Sequence, residues 1–130
     1  MVTEMLEGQC LCGKVTFSLQ SSPRDAGYCH CTQCRKQSGH FWASGTVDLA
    51  DIVISGNVKW FAASDIATRG FCPNCGSFLF WKGNDATDIG FSLGAINGPT
   101  GVKMEKHIFV STKGDYYTIN DGLPQETREL

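Results

Sequence analysis

Seven cysteines occur among the 130 residues, and their spacing divides them into two pairs and a triplet. Cys72 and Cys75 enclose two residues, a spacing that lets both sulfurs face one tetrahedral metal ion at about 2.3 Å. Gly76 follows them and lacks a Cβ atom, so it can adopt positive φ and continue the tight turn. A redox-active pair is the alternative, but it is expected after a strand in a βαβ unit, and the flanking sequence indicates none. This motif therefore predicts half of a zinc site.

Cys10 and Cys12 form a second, closer pair. In an extended chain, side chains two residues apart lie on the same side, so both sulfurs can reach one ion. Together with Cys72 and Cys75 they give four thiolates, the closed ligand set of a structural zinc that contributes to folding. Two buried hydrophobic cysteines are the alternative, but the small and polar residues around them fit it poorly.

The remaining cysteines, Cys29, Cys31 and Cys34, combine both spacings in one segment. Strand alternation directs Cys29 and Cys31 together and sends His30 the opposite way. A turn beginning after Cys31 brings Cys34 back, beside the start of a helix, where thiolates are favoured. Three sulfurs at one ion predict an open site with net charge +2 - 3 = -1.

The histidines are the rival ligands for the fourth position of this open site. His30 would need a severely folded backbone to bind the same ion as both of its neighbours, so we expect it to hydrogen bond or pack instead. His40 can reach back from beyond Gly39 and close the site, an alternative that the sequence leaves open. His107 lies in a strand-like run and is expected to be a satisfied structural histidine.

Short alternating segments must position these ligands, and they predict a mainly β protein with at least six strands. The segments are 14–19, 41–47, 58–63, 78–82, 89–96 and 104–110. The one helical candidate is Thr32–Ser38, with Gly39 in the place of a C-cap glycine. No repeat or linker divides the chain, so residues 1–130 are predicted to form a single small domain.

Composition narrows the function classes. The 11 basic and 13 acidic residues give a formal charge of -2, which offers no basic stripe for nucleic acid. The acidic opening segment lacks the basic and apolar regions of a signal peptide, and no long apolar run predicts a membrane span. Seven cysteines in a reducing compartment are seldom disulfides. We therefore expect a cytoplasmic protein that binds neither nucleic acid nor membrane.

Three cysteine segments, in this order and spacing, resemble the glutathione-dependent formaldehyde-activating enzyme family, which includes centromere protein V. They are 8–15, 29–35 and 69–76, and the tail segments 107–110 and 121–124 are also similar. The resemblance implies a β-tent of antiparallel sheets with two zinc ions per chain. It assigns a structural zinc to one ligand set, Cys10, Cys12, Cys72 and Cys75, and a catalytic zinc to the other, Cys29, Cys31 and Cys34.

The activity implied by the resemblance is a carbon–sulfur lyase that binds glutathione through its thiol and condenses it with formaldehyde. Arg35, Lys36 and Arg69 are candidates to hold the carboxylates of glutathione, although each can equally be an ordinary solvated charge. Two alternatives remain. One is a non-catalytic zinc scaffold that binds protein, and the other is the same chemistry on a different thiol or aldehyde.

Overall fold

The computed structural model describes residues 5–128, and within this range the chain forms ten β-strands and one α-helix. Residues 1–4, on which part of the signal-peptide argument rests, lie outside the described residues. The helix α1 is Thr32–Ser38. The strands are β1 (Leu6–Gln9), β2 (Thr16–Leu19), β3 (Arg24–Cys29), β4 (Trp42–Asp48), β5 (Ile52–Ser55), β6 (Lys59–Phe61), β7 (Ala67–Phe71), β8 (Phe78–Gly83), β9 (Asp88–Ser92) and β10 (Lys106–Ile108).

The predicted mainly β class is confirmed. No described helix has the length and apolar content needed to cross a membrane.

The strands form two sheets. The smaller sheet has the order β1-β2-β5, and the larger has the order β10-β3-β4-β9-β8-β7-β6. Their pairings are antiparallel except that β10 runs parallel to β3, with His107 opposite Tyr28. The resemblance implies antiparallel sheets, and this one pair departs from that expectation. Residues 30–105 separate β3 from β10, and a parallel neighbour requires a long crossover of this kind instead of a tight hairpin.

One hydrophobic core lies against both sheets. Phe17 of β2 is buried and contacts Phe80 of β8 edge to face, with ring centroids 5.2 Å apart. Phe17 also contacts Phe91 of β9, with ring centroids 5.9 Å apart. Because β2 belongs to one sheet and β8 and β9 belong to the other, these aromatic contacts join the two sheets.

The helix has the predicted bounds. Gly39 adopts φ of 87° as its C-cap, and its N–H donates to the carbonyl of Arg35 at 2.9 Å. Four strands, β1, β3, β5 and β7, were not predicted from alternation. Two of them illustrate the reason: β1 contains Gly8, and β7 contains Arg69 and Gly70, so their sequences lack a clear apolar period.

Candidate metal centres and active site

The first cysteine cluster brings together four sulfurs, those of Cys10, Cys12, Cys72 and Cys75, all within 4.8 Å of one another. The Sγ atom of Cys12 lies 3.6 Å from that of Cys10 and 3.7 Å from that of Cys72. A tetrahedral ion with sulfur at about 2.3 Å requires sulfur–sulfur edges of about 3.8 Å. The ligand set therefore fits a closed zinc site.

Two tight turns present these sulfurs. In the first, the N–H of Cys10 donates to the carbonyl of Val15 at 3.0 Å, and the N–H of Val15 donates to the sulfur of Cys10 at 3.3 Å. In the second, Gly76 has φ of 82° and its N–H donates to the carbonyl of Cys72 at 2.8 Å. The positive φ expected for Gly76 is thus present. Since one turn follows β1 and the other follows β7, an ion bound here ties the two sheets together.

Ser77 links the two turns, a role that sequence reasoning missed. Its hydroxyl accepts a hydrogen bond from the N–H of Leu11 at 3.0 Å and lies 3.2 Å from the sulfur of Cys75. The Ser77 hydroxyl and N–H lower the pKa of Cys75 to about 5. The only sequence signal for this role was its position directly after the Cys72–Gly76 motif.

The second cluster contains the sulfurs of Cys29, Cys31 and Cys34, again all within 4.8 Å of one another. Cys29 ends β3, Cys31 is the N-cap of α1, and Cys34 lies in the first turn of that helix. The N–H of Cys34 donates to the sulfur of Cys31 at 3.3 Å. Cys29 and Cys34 are buried, whereas Cys31 is partly exposed. The strand end and the helix start therefore bring the three sulfurs to one point, as their spacing predicted.

Within this cluster the pKa of Cys31 is lowered, whereas that of Cys29 is raised. Hydrogen bonds from Cys29 and Cys34 lower the pKa of Cys31 to about 2, and the nearby charge of Arg69 acts in the same direction. Hydrogen bonds with Cys31 and Cys34, together with burial, raise the pKa of Cys29 far above its usual value. A cluster that already holds a thiolate at neutral pH offers the deprotonated sulfur that zinc binding requires.

No His, Asp or Glu among residues 5–128 joins the three sulfurs as a fourth ligand. The Nδ1 atom of His40 lies 2.7 Å from the hydroxyl of Tyr116. His30 is fully buried and directs both ring nitrogens away from the sulfurs, to the hydroxyl of Tyr117 and to His107. Three protein ligands are the number found in catalytic zinc sites, where water or substrate completes the coordination.

A chain of hydrogen bonds runs from His30 towards the surface. Its Nε2 atom lies 2.8 Å from Nδ1 of His107, and Nε2 of His107 lies 2.8 Å from a carboxylate oxygen of Asp121. The carboxylate only accepts, so with both rings neutral His107 donates to Asp121, His30 donates to His107, and Tyr117 donates to His30. The expected structural role of His107 is thus fulfilled. Sequence reasoning did not identify Tyr117 or Asp121 as partners, because only the fold brings residues 30, 107, 117 and 121 together.

The three basic candidates for substrate contact lie in different settings. Arg35 and Lys36 are on α1, directly after Cys34; Arg35 donates to the carbonyl of Thr112 at 3.1 Å, and Lys36 is exposed. Arg69, on β7, is only 5% exposed, and its guanidinium faces the cysteine cluster instead of solvent. This burial leaves it poorly placed for the carboxylate contact expected from the sequence.

A groove of about 720 Å³ is lined on one side by Cys10 of the first cluster. One wall includes Trp42 and Phe78, which pack against Cys29 and Cys34. Its other lining residues are mainly neutral, among them Gln37, which also contacts Arg69. None of the three cysteines lines the groove, which is linked to their cluster through Trp42 and Phe78, and its volume is that of a small-molecule site.

A family-level sequence comparison matches residues 5–112, a range that includes all seven cysteines, to one family. The chain belongs to the glutathione-dependent formaldehyde-activating enzyme family. One relative of this chain is a Schizosaccharomyces pombe protein that is named an uncharacterized lyase. It is 26% identical over 113 residues, which is 85% of this chain and 82% of the relative.

A crystal structure of a Rhodobacter sphaeroides protein has a similar fold. The two share 24% sequence identity with a TM-score of 0.60, over 73% of this chain and 91% of the other. Membership of the formaldehyde-activating enzyme family supports glutathione- and formaldehyde-related lyase chemistry at the level of the family. The two cysteine clusters of this chain can hold metal ions.

Proposed function

We propose that this protein is a zinc-dependent enzyme that joins glutathione to formaldehyde and, in reverse, cleaves the same carbon–sulfur bond. The observation that carries the proposal is the contrast between the clusters. Four sulfurs complete one site, whereas three sulfurs converge at the other with no further ligand among residues 5–128. We assign one structural and one catalytic zinc per chain. A reducing compartment, the cytoplasm, suits both thiolate sites.

The three cysteines would hold the catalytic ion. When bound, zinc supplies the positive charge that keeps a substrate thiol deprotonated at neutral pH, where only a few per cent of a free thiol with a pKa of about 8.5 is ionised. Cys29 and Cys34 anchor the site from a buried strand end and from α1. Trp42 and Phe78 pack against them and shield that side from water.

The reaction forms one bond between the sulfur of glutathione and the carbon of formaldehyde. The carbon–oxygen double bond becomes single, and the proton lost from the thiol is returned to the oxygen as the product hydroxyl. The lyase direction breaks the carbon–sulfur bond and reverses the proton transfer. No oxidant or reductant takes part, which is consistent with redox-inactive zinc.

Positioning must contribute much of the rate, because ionisation alone increases the thiolate fraction by only about thirtyfold. Arg35 and Lys36 lie beside the site on α1 and are proposed to hold the carboxylates of glutathione. Arg69 was a third candidate on sequence grounds, but it is buried against the three-cysteine cluster and is not placed to meet a carboxylate of the substrate. The groove beside Trp42 is proposed to take the peptide body of glutathione, since its neutral polar lining can hydrogen bond to amide groups.

The proposal is tested by counting zinc per chain and then measuring the exchange between labelled formaldehyde and its glutathione adduct by NMR. The native protein should hold two zinc ions and accelerate exchange above the spontaneous rate. Cys34→Ser should lose one zinc and the acceleration, while Ser55→Ala on β5, which lines neither cysteine cluster nor the groove, should keep both.

Two other outcomes would exclude the proposal. A protein that holds two zinc ions but shows no change when glutathione is added would be a zinc scaffold. A protein that accelerates adduct formation only with another thiol or aldehyde would share the chemistry but not the substrate.

A further inference from the structure

Arg69 is a buried charge whose counter-charge must come from the three-cysteine cluster. The side chain is 5% exposed, and removing a guanidinium from water is costly unless an opposite charge compensates. None of the ion pairs among residues 5–128 joins Arg69 to a carboxylate. The groups that face it are two amides, two sulfurs and one aromatic ring.

Two glutamines of α1 hold the guanidinium in place. Its Nε atom donates to the amide oxygen of Gln33 at 3.2 Å, and its Nη1 atom donates to that of Gln37 at 3.3 Å. Gln33 and Gln37 are one helical turn apart, so they present their amides on one face of α1. These oxygens satisfy the hydrogen bonds of Arg69 without neutralising its charge.

The remaining contacts aim this charge at the ligands. Nη1 lies 3.5 Å from the sulfur of Cys34, and Nη2 lies 4.0 Å from the sulfur of Cys31. The guanidinium carbon also lies 5.5 Å from the centre of the Phe78 ring, which covers one face. Arginine remains charged at any physiological pH, so this positive charge is a permanent part of the site.

We propose that Arg69 is a positioning residue that supplies the third unit of positive charge to the open metal site, beside the two of a divalent ion, and thereby makes the site receptive to an anionic ligand. Three thiolates and a divalent ion sum to -1, and Arg69 brings the total to 0. An incoming thiolate then produces a site of -1 instead of -2. This role rests on the proposed metal site, but not on glutathione being the substrate.

The test uses ligands that differ in charge but need no turnover. Cobalt(II) placed in the open site reports ligand binding by its absorption spectrum, and the probes are azide, which is anionic, and imidazole, which is neutral. Arg69→Gln should weaken azide binding at least tenfold while changing imidazole binding less than twofold. Arg69→Lys, which keeps the charge, should stay within about threefold of the native protein for both.

A second variant tests the same role of Arg69 without a substitution at a buried position. Gln33 is exposed, and Gln33→Glu places a carboxylate on the same Nε atom, so it cancels the charge without removing any buried group. It should weaken azide binding selectively, and Gln33→Ala is its neutral control. If Arg69→Gln does not fold, this pair decides the question.

Equal changes for both probes, or no change for either, would show that Arg69 only packs the site and would overturn the proposal. A chain that holds one metal ion, with none at residues 29–34, would overturn it as well. Loss of glutathione turnover is a separate result. A protein with charge-selective azide binding but no glutathione response would retain this role for Arg69 and reject the proposed substrate.

Discussion

His30 and His107 are joined by a hydrogen bond of 2.8 Å between Nε2 of the first and Nδ1 of the second. His30 lies between Cys29 and Cys31 of the three-cysteine cluster, whereas His107 lies on β10, the strand that pairs in parallel with β3. The bond therefore ties the peptide between these two cysteines to a strand from the far end of the chain. Asp121 extends this link to the surface.

Acid should weaken the fold through His30. Burial, followed by the charges of His107, His40 and Lys113, lowers the pKa of His30 to about 4 from its ordinary value of 6.5. The folded state thus favours the neutral ring, so the stabilisation is complete above pH 6.5 and is lost as the pH falls towards 4. Denaturant unfolding at several pH values, with zinc release recorded in parallel, measures this loss.

His30→Gln is the control for the acid effect, because it removes the titrating ring from the buried position. The difference in unfolding free energy between the native protein and His30→Gln should shrink between pH 6.5 and 4. A difference that stays constant across this range would assign the acid sensitivity to zinc release alone.

Cys75→Ser should abolish stable folding. Structural zinc contributes about 10–16 kcal/mol in zinc-finger peptides, as much as the whole stability of about 5–15 kcal/mol of a typical domain. Here the ion would also join the turns that follow β1 and β7. Thermal unfolding by circular dichroism, with zinc counted per chain, tests this expectation. Cys34→Ser is the comparison, since it should lose one zinc and keep a cooperative transition; equal loss of folding would remove the distinction between the sites.

Ser92→Ala should lower the free energy of unfolding by about 1–3 kcal/mol, the usual penalty for a buried polar group left without its partner. The Ser92 hydroxyl accepts a hydrogen bond from the Trp42 ring nitrogen at 2.7 Å and donates to the carbonyl of Phe78 at 2.7 Å. Chemical denaturation measures the loss. Ser92→Thr, which keeps the hydroxyl, should recover part of the lost stability. If Ser92→Ala has the same free energy of unfolding as the native protein, Trp42 finds another acceptor.

Filling the groove should impair substrate binding without disturbing the metal. A Cβ atom at Gly94 meets no atom within 4 Å, so Gly94→Phe adds a ring to the groove lining at little cost to the fold. We expect KM for glutathione to rise at least fivefold while zinc content stays at the native level. Ser22→Phe, in a separate cavity of about 610 Å³, is the matched control. Equal KM values in the two variants would place the substrate elsewhere.

The grouping of the sulfurs into two clusters could be predicted because it depends largely on short-range spacing. Cys72 and Cys75 converge through one tight turn, and Cys31 and Cys34 through the first turn of a helix, so local backbone geometry suffices. The bounds of α1 were predicted for the same reason, since its C-cap glycine lies next to it in the chain.

The surroundings of the sulfurs were decided only by the tertiary structure. From the sequence, Arg69 was either a contact for a substrate carboxylate or an ordinary solvated charge, and it is the meeting of its side chain with α1 that buries it beside Cys34. Likewise, His30 contacts His107, which lies 77 residues away in the sequence, only because β10 pairs with β3. Spacing along the chain determines which sulfurs can share an ion, whereas burial and charge around that ion depend on contacts between distant strands, which no local pattern encodes.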